Sequence, residues 1–219
     1  MMPFKDRRHG GQALAALLAH YQGRRDVIVL ALPRGGVPVA YEVARSLPAP
    51  LDVFVVRKLG FPGQEEYAMG AIASGGVRVM NPEMLGERVP ENEVEAVVAR
   101  ETEELARREL LYRGRRPSLA LEDRTVILVD DGLATGATMR AATLAVRQMH
   151  PARIVVAAPV AAPDTCLDFQ ALADEVVCAR TPSLFRAVGL WYEHFPQTSD
   201  DEVRKLLDAA WAAEARRGA

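Results

Sequence analysis

TVILVDDGLATGATMR, residues 125–140, is the stretch whose reading decides the fold. Val126, Ile127, Leu128 and Val129 form an apolar run, the pattern of a parallel strand buried on both faces. Asp130 and Asp131 follow, then the small and hydroxyl residues Gly132 to Thr138. An apolar helical segment, Met139 to Met149, takes over directly. Strand, tight turn and helix start therefore follow in order. The turn carries little side-chain bulk, so its N–H groups can approach a ligand. The helix adds free N–H donors and partial positive charge, and Thr135 and Thr138 add two hydroxyls. These features suit a phosphate monoester. Two carboxylates repel phosphate but suit sugar hydroxyls or a divalent cation beside it. Phosphate and diol together point to a ribose 5-phosphate moiety.

The chain has 219 residues, 49% hydrophobic and 26% charged, enough for one α/β domain with at most a small subdomain. A formal net charge of −2 gives no global pull toward nucleic acid or anionic membrane. No apolar run is long enough to span a bilayer. The start, MMPFKDRRHGG, lacks the apolar core of a signal peptide, so a cytoplasmic location is expected. Cys166 and Cys178 are too few and too far apart for a zinc site or a CxxC motif, and they read as buried thiols. The four histidines show no paired ligand spacing.

Leu14, Leu17, Leu18 and Tyr21 recur at helical spacing within residues 3–22, and Arg7, Arg8 and His9 read as the solvated start of that helix in preference to a basic patch for phosphate. Val27 to Leu32 is a second buried strand. It ends in Pro33-Arg34-Gly35-Gly36, where two glycines free the backbone and Arg34 supplies a five-donor cation, before a helix to about Leu47. Leu51 to Val56 is a third strand, ending in Arg57 and Lys58. Residues 59–67 read equally as a mobile loop or a surface connection. Ala71–Ala73 and Val77–Met80 form a hairpin around Ser74-Gly75-Gly76, stopped by Asn81-Pro82. A charge-rich helix runs from Glu91 to Tyr112, and residues 113–117 form a basic linker. Arg153–Val160 is a strand, Pro163–Ala173 a helix and Glu175–Ala179 a last core strand. A final helix, Asp201–Ala215, is capped by Ser199 or Asp200. This order predicts a parallel sheet with helices on both faces. The loops at 33–36, 57–63 and 130–138 then share the carboxyl ends of the strands, where such sheets bind ligands. Before the last helix, Phe185, Trp191, Tyr192 and Phe195 concentrate aromatics in a chain only 6% aromatic. They either seal the core or wall a nucleobase.

The run VILVDDGLATGAT resembles the phosphoribosyl pyrophosphate (PRPP) motif of type I phosphoribosyltransferases. The resemblance implies a Rossmann-like α/β core over about residues 25–180, within one domain spanning 1–219, with residues 181–219 as a small C-terminal hood. It implies that Leu133, Ala134, Thr135, Gly136, Ala137 and Thr138 hold the 5-phosphate. Arg34, Gly35, Gly36, Arg57 and Lys58 would hold the pyrophosphate, and Asp130 and Asp131 would act in catalysis with Arg34. Mg²⁺ is implied as cofactor, met by Asp130 and Asp131 through PRPP or water. The loop at 33–36 often carries a cis peptide in this family, which here falls between Pro33 and Arg34. Phe185 and the following Val188-Gly189 resemble the base-binding segment of purine enzymes, with Trp191 and Glu193 beside it. The spacing from Phe185 to Gly189 is one residue longer than that segment implies. Hypoxanthine-guanine enzymes carry an aspartate three residues past the second acid; Ala134 stands there, which argues against that specificity.

The activity implied is transfer of ribose 5-phosphate from PRPP to a nucleobase-like acceptor, with release of pyrophosphate and no nucleic-acid or membrane partner; a homodimer is allowed. The alternative is a non-catalytic PRPP- or nucleotide-binding regulator of the same fold. No helix-turn-helix precedes the domain and the charge is slightly acidic, which disfavours that alternative.

Overall fold

The computed structural model describes residues 2–62, 64–81, 90–117 and 119–218. In chain order the elements are α1 (Arg7–Leu17), β1 (Val27–Ala31), α2 (Gly36–Ser46), β2 (Leu51–Val53), β3 (Val56–Phe61), β4 (Gln64–Ala73), β5 (Val77–Met80) and α3 (Glu91–Arg113), followed by β6 (Thr125–Val129), α4 (Ala137–Arg147), β7 (Arg153–Val160), α5 (Pro163–Asp168), β8 (Glu175–Arg180) and α6 (Asp200–Gly218). Five strands make a parallel sheet in the order β2-β1-β6-β7-β8. The expected α/β fold with a central parallel sheet is therefore present.

Every residue of β1 and β6 is buried. The two-residue strand period divides them between two cores. Val27, Val29, Ile127 and Val129 pack with residues of α1, α2 and α6. Ile28, Leu30, Val126 and Leu128 pack with Met139, Ala142 and Val146 of α4 and with Phe169. Burying each branched side chain stabilises by roughly 2 kcal/mol, which is why these runs read as continuous apolar stretches.

The third expected strand divides. β2 ends at Val53, and Phe54 and Val55 carry the chain out of the parallel sheet. Val56 then opens a separate antiparallel sheet, β3-β4-β5. Residues 59–61 and 64–67 are consequently strand, where the sequence suggests a loop or connection, with register irregularities around Gly60. The hairpin at Ser74–Gly76 forms as expected, with Ala73 opposite Val77. Gly63 and Pro82 lie outside the described residues.

α1 is shorter than the periodicity suggests: Asp6 caps its start by accepting the His9 N–H at 2.8 Å, and it ends at Leu17, before a separate 3-10 turn at Ala19–Tyr21. Ser199 Oγ likewise accepts the Glu202 N–H at 3.1 Å and starts α6. The two cysteines, expected as separate buried thiols, form a disulfide joining α5 to β8. Among the described residues no helix is long and apolar enough to cross a membrane.

The hood uses both ends of the chain. Phe4 N–H donates to the Trp191 carbonyl at 2.8 Å, and Glu193 N–H donates to the Phe4 carbonyl at 2.8 Å. An extended N-terminal segment thus pairs with the C-terminal one, where the sequence alone assigns the hood to residues 181–219.

Candidate active site

The chain runs from β1 outward to β2 and later returns to the other side of β1 as β6. The sheet order therefore reverses between β1 and β6, and a crevice opens beyond their carboxyl ends. Two loops meet there: residues 32–36 after β1 and 130–138 after β6. The Leu32 N–H donates to the Val129 carbonyl at 2.9 Å, and Gly36 N–H donates to the Leu32 carbonyl at 3.1 Å. The Pro33–Arg34 peptide is cis. A Cβ on Gly35 would overlap the Asp131 carboxylate, and one on Gly36 would lie 2.6 Å from the Val129 carbonyl oxygen. The acidic pair rests directly on the glycine loop.

Asp131 N–H donates to Asp130 Oδ1 at 2.8 Å. The Asp130 carboxyl is pushed well above the ordinary range by burial and then by the charge of Asp131. Burial also raises Asp131, opposed by Arg7. Arg7 Nε donates to Asp131 Oδ2 at 2.8 Å, and Nη1 donates to the Pro196 carbonyl at 2.6 Å. The guanidinium carbon sits 3.7 Å from the centre of the Phe195 ring. With its side chain only 11% exposed, Arg7 is part of the crevice and not a solvated helix start. The two partners stand 124 residues apart, so no local sequence signal marks the pairing.

The 133–138 loop divides by function. Leu133 is buried, its N–H donates to Val160 and its carbonyl accepts from Ala162, so it anchors the loop and has no donor left for phosphate. Beyond it Ala134, Thr135, Ala137 and Thr138 are exposed at the start of α4. Gly136 has φ +69°, a left-handed conformation that favours glycine. A Cβ there would also meet Phe169 at 2.6 Å. Thr165 Oγ1 donates to the Ala134 carbonyl at 2.6 Å and fixes the loop from α5.

The cations expected to hold pyrophosphate separate. Arg34 is half-exposed at the glycine loop and lies 3.8 Å from Asp200 Oδ1. That carboxylate also accepts the Tyr112 hydroxyl at 2.6 Å. Burial and Asp200 together push the Tyr112 phenol up to about 12. Arg57 and Lys58 are neighbours on β3 and so point to opposite faces. Arg57 turns to α3 and pairs with Glu101 through Nε at 2.9 Å and Nη2 at 2.6 Å. It is not brought to the crevice. Lys58 lines a cleft of about 550 Å³ together with Thr135, Thr138 and Arg140.

At the hood, Val188 packs on the loop so closely that a Cβ on Gly132 would lie 2.5 Å from its Cγ1. Phe185 and Trp191 pack against Phe4, Val160 and Tyr192. The Tyr192 hydroxyl donates to the Asp131 carbonyl at 2.6 Å, and its ring stacks on Phe195 at 4.9 Å. Most of the aromatic concentration therefore seals the hood. Glu193 is exposed and contributes its backbone to the pairing with Phe4.

Among the described residues no group of three or more His, Cys, Asp or Glu is placed to hold a metal ion alone. Two adjacent carboxylates at the carboxyl end of β6 fit Mg²⁺ of the kind that takes most of its oxygens from substrate and water.

Comparison with known proteins agrees with this geometry. The phosphoribosyl transferase domain model matches residues 7–183. Two curated Mycobacterium tuberculosis proteins, from strains H37Rv and CDC 1551, are named provisionally as phosphoribosyl transferases. Each is 48% identical over 220 residues, covering 100% of this chain and 49% of the relative. The chain thus spans about half the length of these curated relatives. The crystal structure of TT1426 from Thermus thermophilus superimposes with a TM-score of 0.84 at 46% identity, covering 94% of this chain and 98% of that one. The AQ2163 protein of Aquifex aeolicus shares the fold at 12% identity, with a TM-score of 0.51 over 92% of this chain and 85% of that one. With the family model covering most of its length, the chain belongs to the phosphoribosyl transferase domain family.

Proposed function

We propose that the chain binds PRPP with Mg²⁺ and transfers its ribose 5-phosphate to a nitrogen nucleophile, releasing pyrophosphate. The observation that carries this reading is the seating of Asp130 and Asp131 on Gly35 and Gly36, with the largely exposed 134–138 loop following in the chain. Such a crevice offers, side by side, partners for pyrophosphate, ribose diol and 5-phosphate. Family membership supports the same class of reaction.

The exposed N–H groups of residues 134–138 and the hydroxyls of Thr135 and Thr138 would take the 5-phosphate. Asp130 and Asp131 would accept hydrogen bonds from the ribose hydroxyls. The backbone N–H at Gly35, with Arg34, would face the pyrophosphate, while Gly36, whose own N–H is held by the Leu32 carbonyl, leaves room for it; Lys58 would reach the phosphates of PRPP from the cleft beside Thr135. As the C1–oxygen bond breaks, its electron pair leaves with pyrophosphate and positive charge develops on the ribose. The nearby carboxylates stabilise that charge, and the acceptor nitrogen then bonds to C1. Mg²⁺ held at Asp130 and Asp131 through PRPP or water would neutralise charge on the leaving group. A nucleobase-like acceptor would enter beside the hood, where Phe185, Trp191 and Glu193 lie.

A panel of purine, pyrimidine and pyridine acceptors, each incubated with PRPP and Mg²⁺ and followed by pyrophosphate release, tests the catalytic reading. Acceptor-dependent release that disappears in Asp131→Asn is expected. PRPP binding without release for any acceptor would favour the non-catalytic regulator.

A further inference from the structure

Arg7 is held on three sides. Its Nε meets Asp131 Oδ2 at 2.8 Å, its Nη1 meets the Pro196 carbonyl at 2.6 Å, and Phe195 lies under the guanidinium at 3.7 Å. The stack continues inward: Phe195 on Tyr192 at 4.9 Å, Tyr192 beside Phe4 at 5.8 Å, and Arg180 over Phe4 at 3.6 Å. A cation closes each end of a three-ring ladder, and both chain ends contribute to it. Arg7 is the first residue of α1, whose start the Asp6 cap fixes. The guanidinium therefore reaches Asp131 from a rigid base, and its planar fork suits two acceptors at once.

Asp131 needs such a partner. Its carboxylate is only 15% exposed, rests on Gly35 and follows directly after Asp130. A carboxylate offers about four acceptor positions, and Arg7 Nε takes one on Oδ2. Oδ1 has no such tie to Arg7 and can accept from a ligand. The Tyr192 hydroxyl holds the Asp131 backbone carbonyl at 2.6 Å, so main chain and side chain of Asp131 are both fixed from the hood.

We propose that Arg7 is a positioning residue for the ribose diol: it holds Asp131 in the orientation that accepts the sugar hydroxyls, and so makes the N-terminal segment part of the sugar-recognition apparatus. This rests on the reading that the acidic pair takes the ribose diol.

The test compares ribose 5-phosphate with 2-deoxyribose 5-phosphate by calorimetry in the presence of Mg²⁺. The two share the phosphate and differ in one hydroxyl. Wild type is expected to prefer the ribose compound tenfold or more. Arg7→Met, which keeps an apolar stem over Phe195, is expected to lose that preference while binding the deoxy compound as wild type does. Arg7→Lys restores a cation beside Asp131 and is expected to recover part of the preference. Retention of the full preference in Arg7→Met overturns the proposal. Equal loss of both ligands in Arg7→Met also overturns it, since Arg7 would then maintain the fold and not the sugar contact. A wild type without preference would instead remove the underlying diol reading.

Discussion

Gly35 and Asp131 share so little space that a methyl group on Gly35 would overlap Asp131 Oδ2. The backbone at Gly35 is ordinary, with φ −60° and ψ −32°, so glycine is required there for room and not for conformational freedom. Gly35→Ala is therefore expected to fold but to displace the carboxylate. PRPP affinity should fall tenfold or more, about 1.4 kcal/mol. Calorimetry beside circular dichroism checks this. An affinity within twofold of wild type would mean that the position of the carboxylate does not matter.

Asp130 carries a cost in the free protein, because burial and its neighbour Asp131 both oppose its charge. Asn at this position keeps the oxygen that accepts the Asp131 N–H. Asp130→Asn should raise the melting temperature by a few degrees, on the order of 1 kcal/mol for a domain of this size. It should at the same time weaken PRPP binding. Differential scanning calorimetry with and without PRPP reads both effects, and a lowered melting temperature would contradict the assigned source of the raised pKa.

Arg57 and Lys58 should behave differently despite their adjacency. Arg57→Ala leaves Oε2 of the buried Glu101 without the two N–H groups that Arg57 donates to it, with only Arg100 remaining on Oε1, and should cost about 1–3 kcal/mol of stability. Lys58 lines the cleft beside Thr135, so Lys58→Ala should act on affinity for PRPP. Urea unfolding and PRPP titration of both variants separate the two roles. A Lys58→Ala variant with unchanged PRPP affinity would remove Lys58 from the site.

Asp26 lies just before β1, at the opposite end of the sheet from the crevice. Arg24 Nη2 donates to it at 2.6 Å and Thr125 Oγ1 at 2.7 Å, and Arg24 chiefly holds its carboxyl well below the usual value of 3.8. A depressed folded-state pKa means that the folded protein binds fewer protons here than the unfolded chain. The stabilisation is full above pH 3.8 and is lost as pH falls through the lower folded value. The side chain is 39% exposed, so solvent screening limits the effect to about 1 kcal/mol. Asp26→Asn should be less stable than wild type at pH 7, and the gap should narrow with acidification below pH 4. Urea unfolding across that range checks the sign, and a gap that widens in acid would reverse it.

Cys166 and Cys178 join α5 to β8 across 12 positions. Thiol titration of the denatured, unreduced protein should find none, and reduction should release two. A closed loop of this length stabilises by about 3 kcal/mol, so the reduced protein should melt lower. Two free thiols without reductant would contradict the pairing.

Much of the fold is legible because its strands are buried on both faces. The runs at Val27, Thr125 and Arg153 admit few other readings, and the cradle at 130–138 follows from its small residues and helix start. Other features depend on distance in the chain. Nothing local to Arg7 marks it as a partner of Asp131, because the contact exists only once α1 docks on the sheet. The exit at Phe54 is hidden within a continuous apolar stretch, since residues crossing between sheets are buried as strongly as strand. The divergence of Arg57 and Lys58 is readable in principle, for adjacent strand residues cannot share a face. Leu133 reads as part of the ligand loop because its N–H partner, Val160, arrives only with β7.

Calorimetric titration of the chain with PRPP and Mg²⁺, beside Asp130→Asn and Asp131→Asn, tests the PRPP site most directly. Micromolar binding by wild type that is lost in both variants is the predicted result. Absence of binding to wild type, or equal binding by all three proteins, would contradict a PRPP site at the acidic pair.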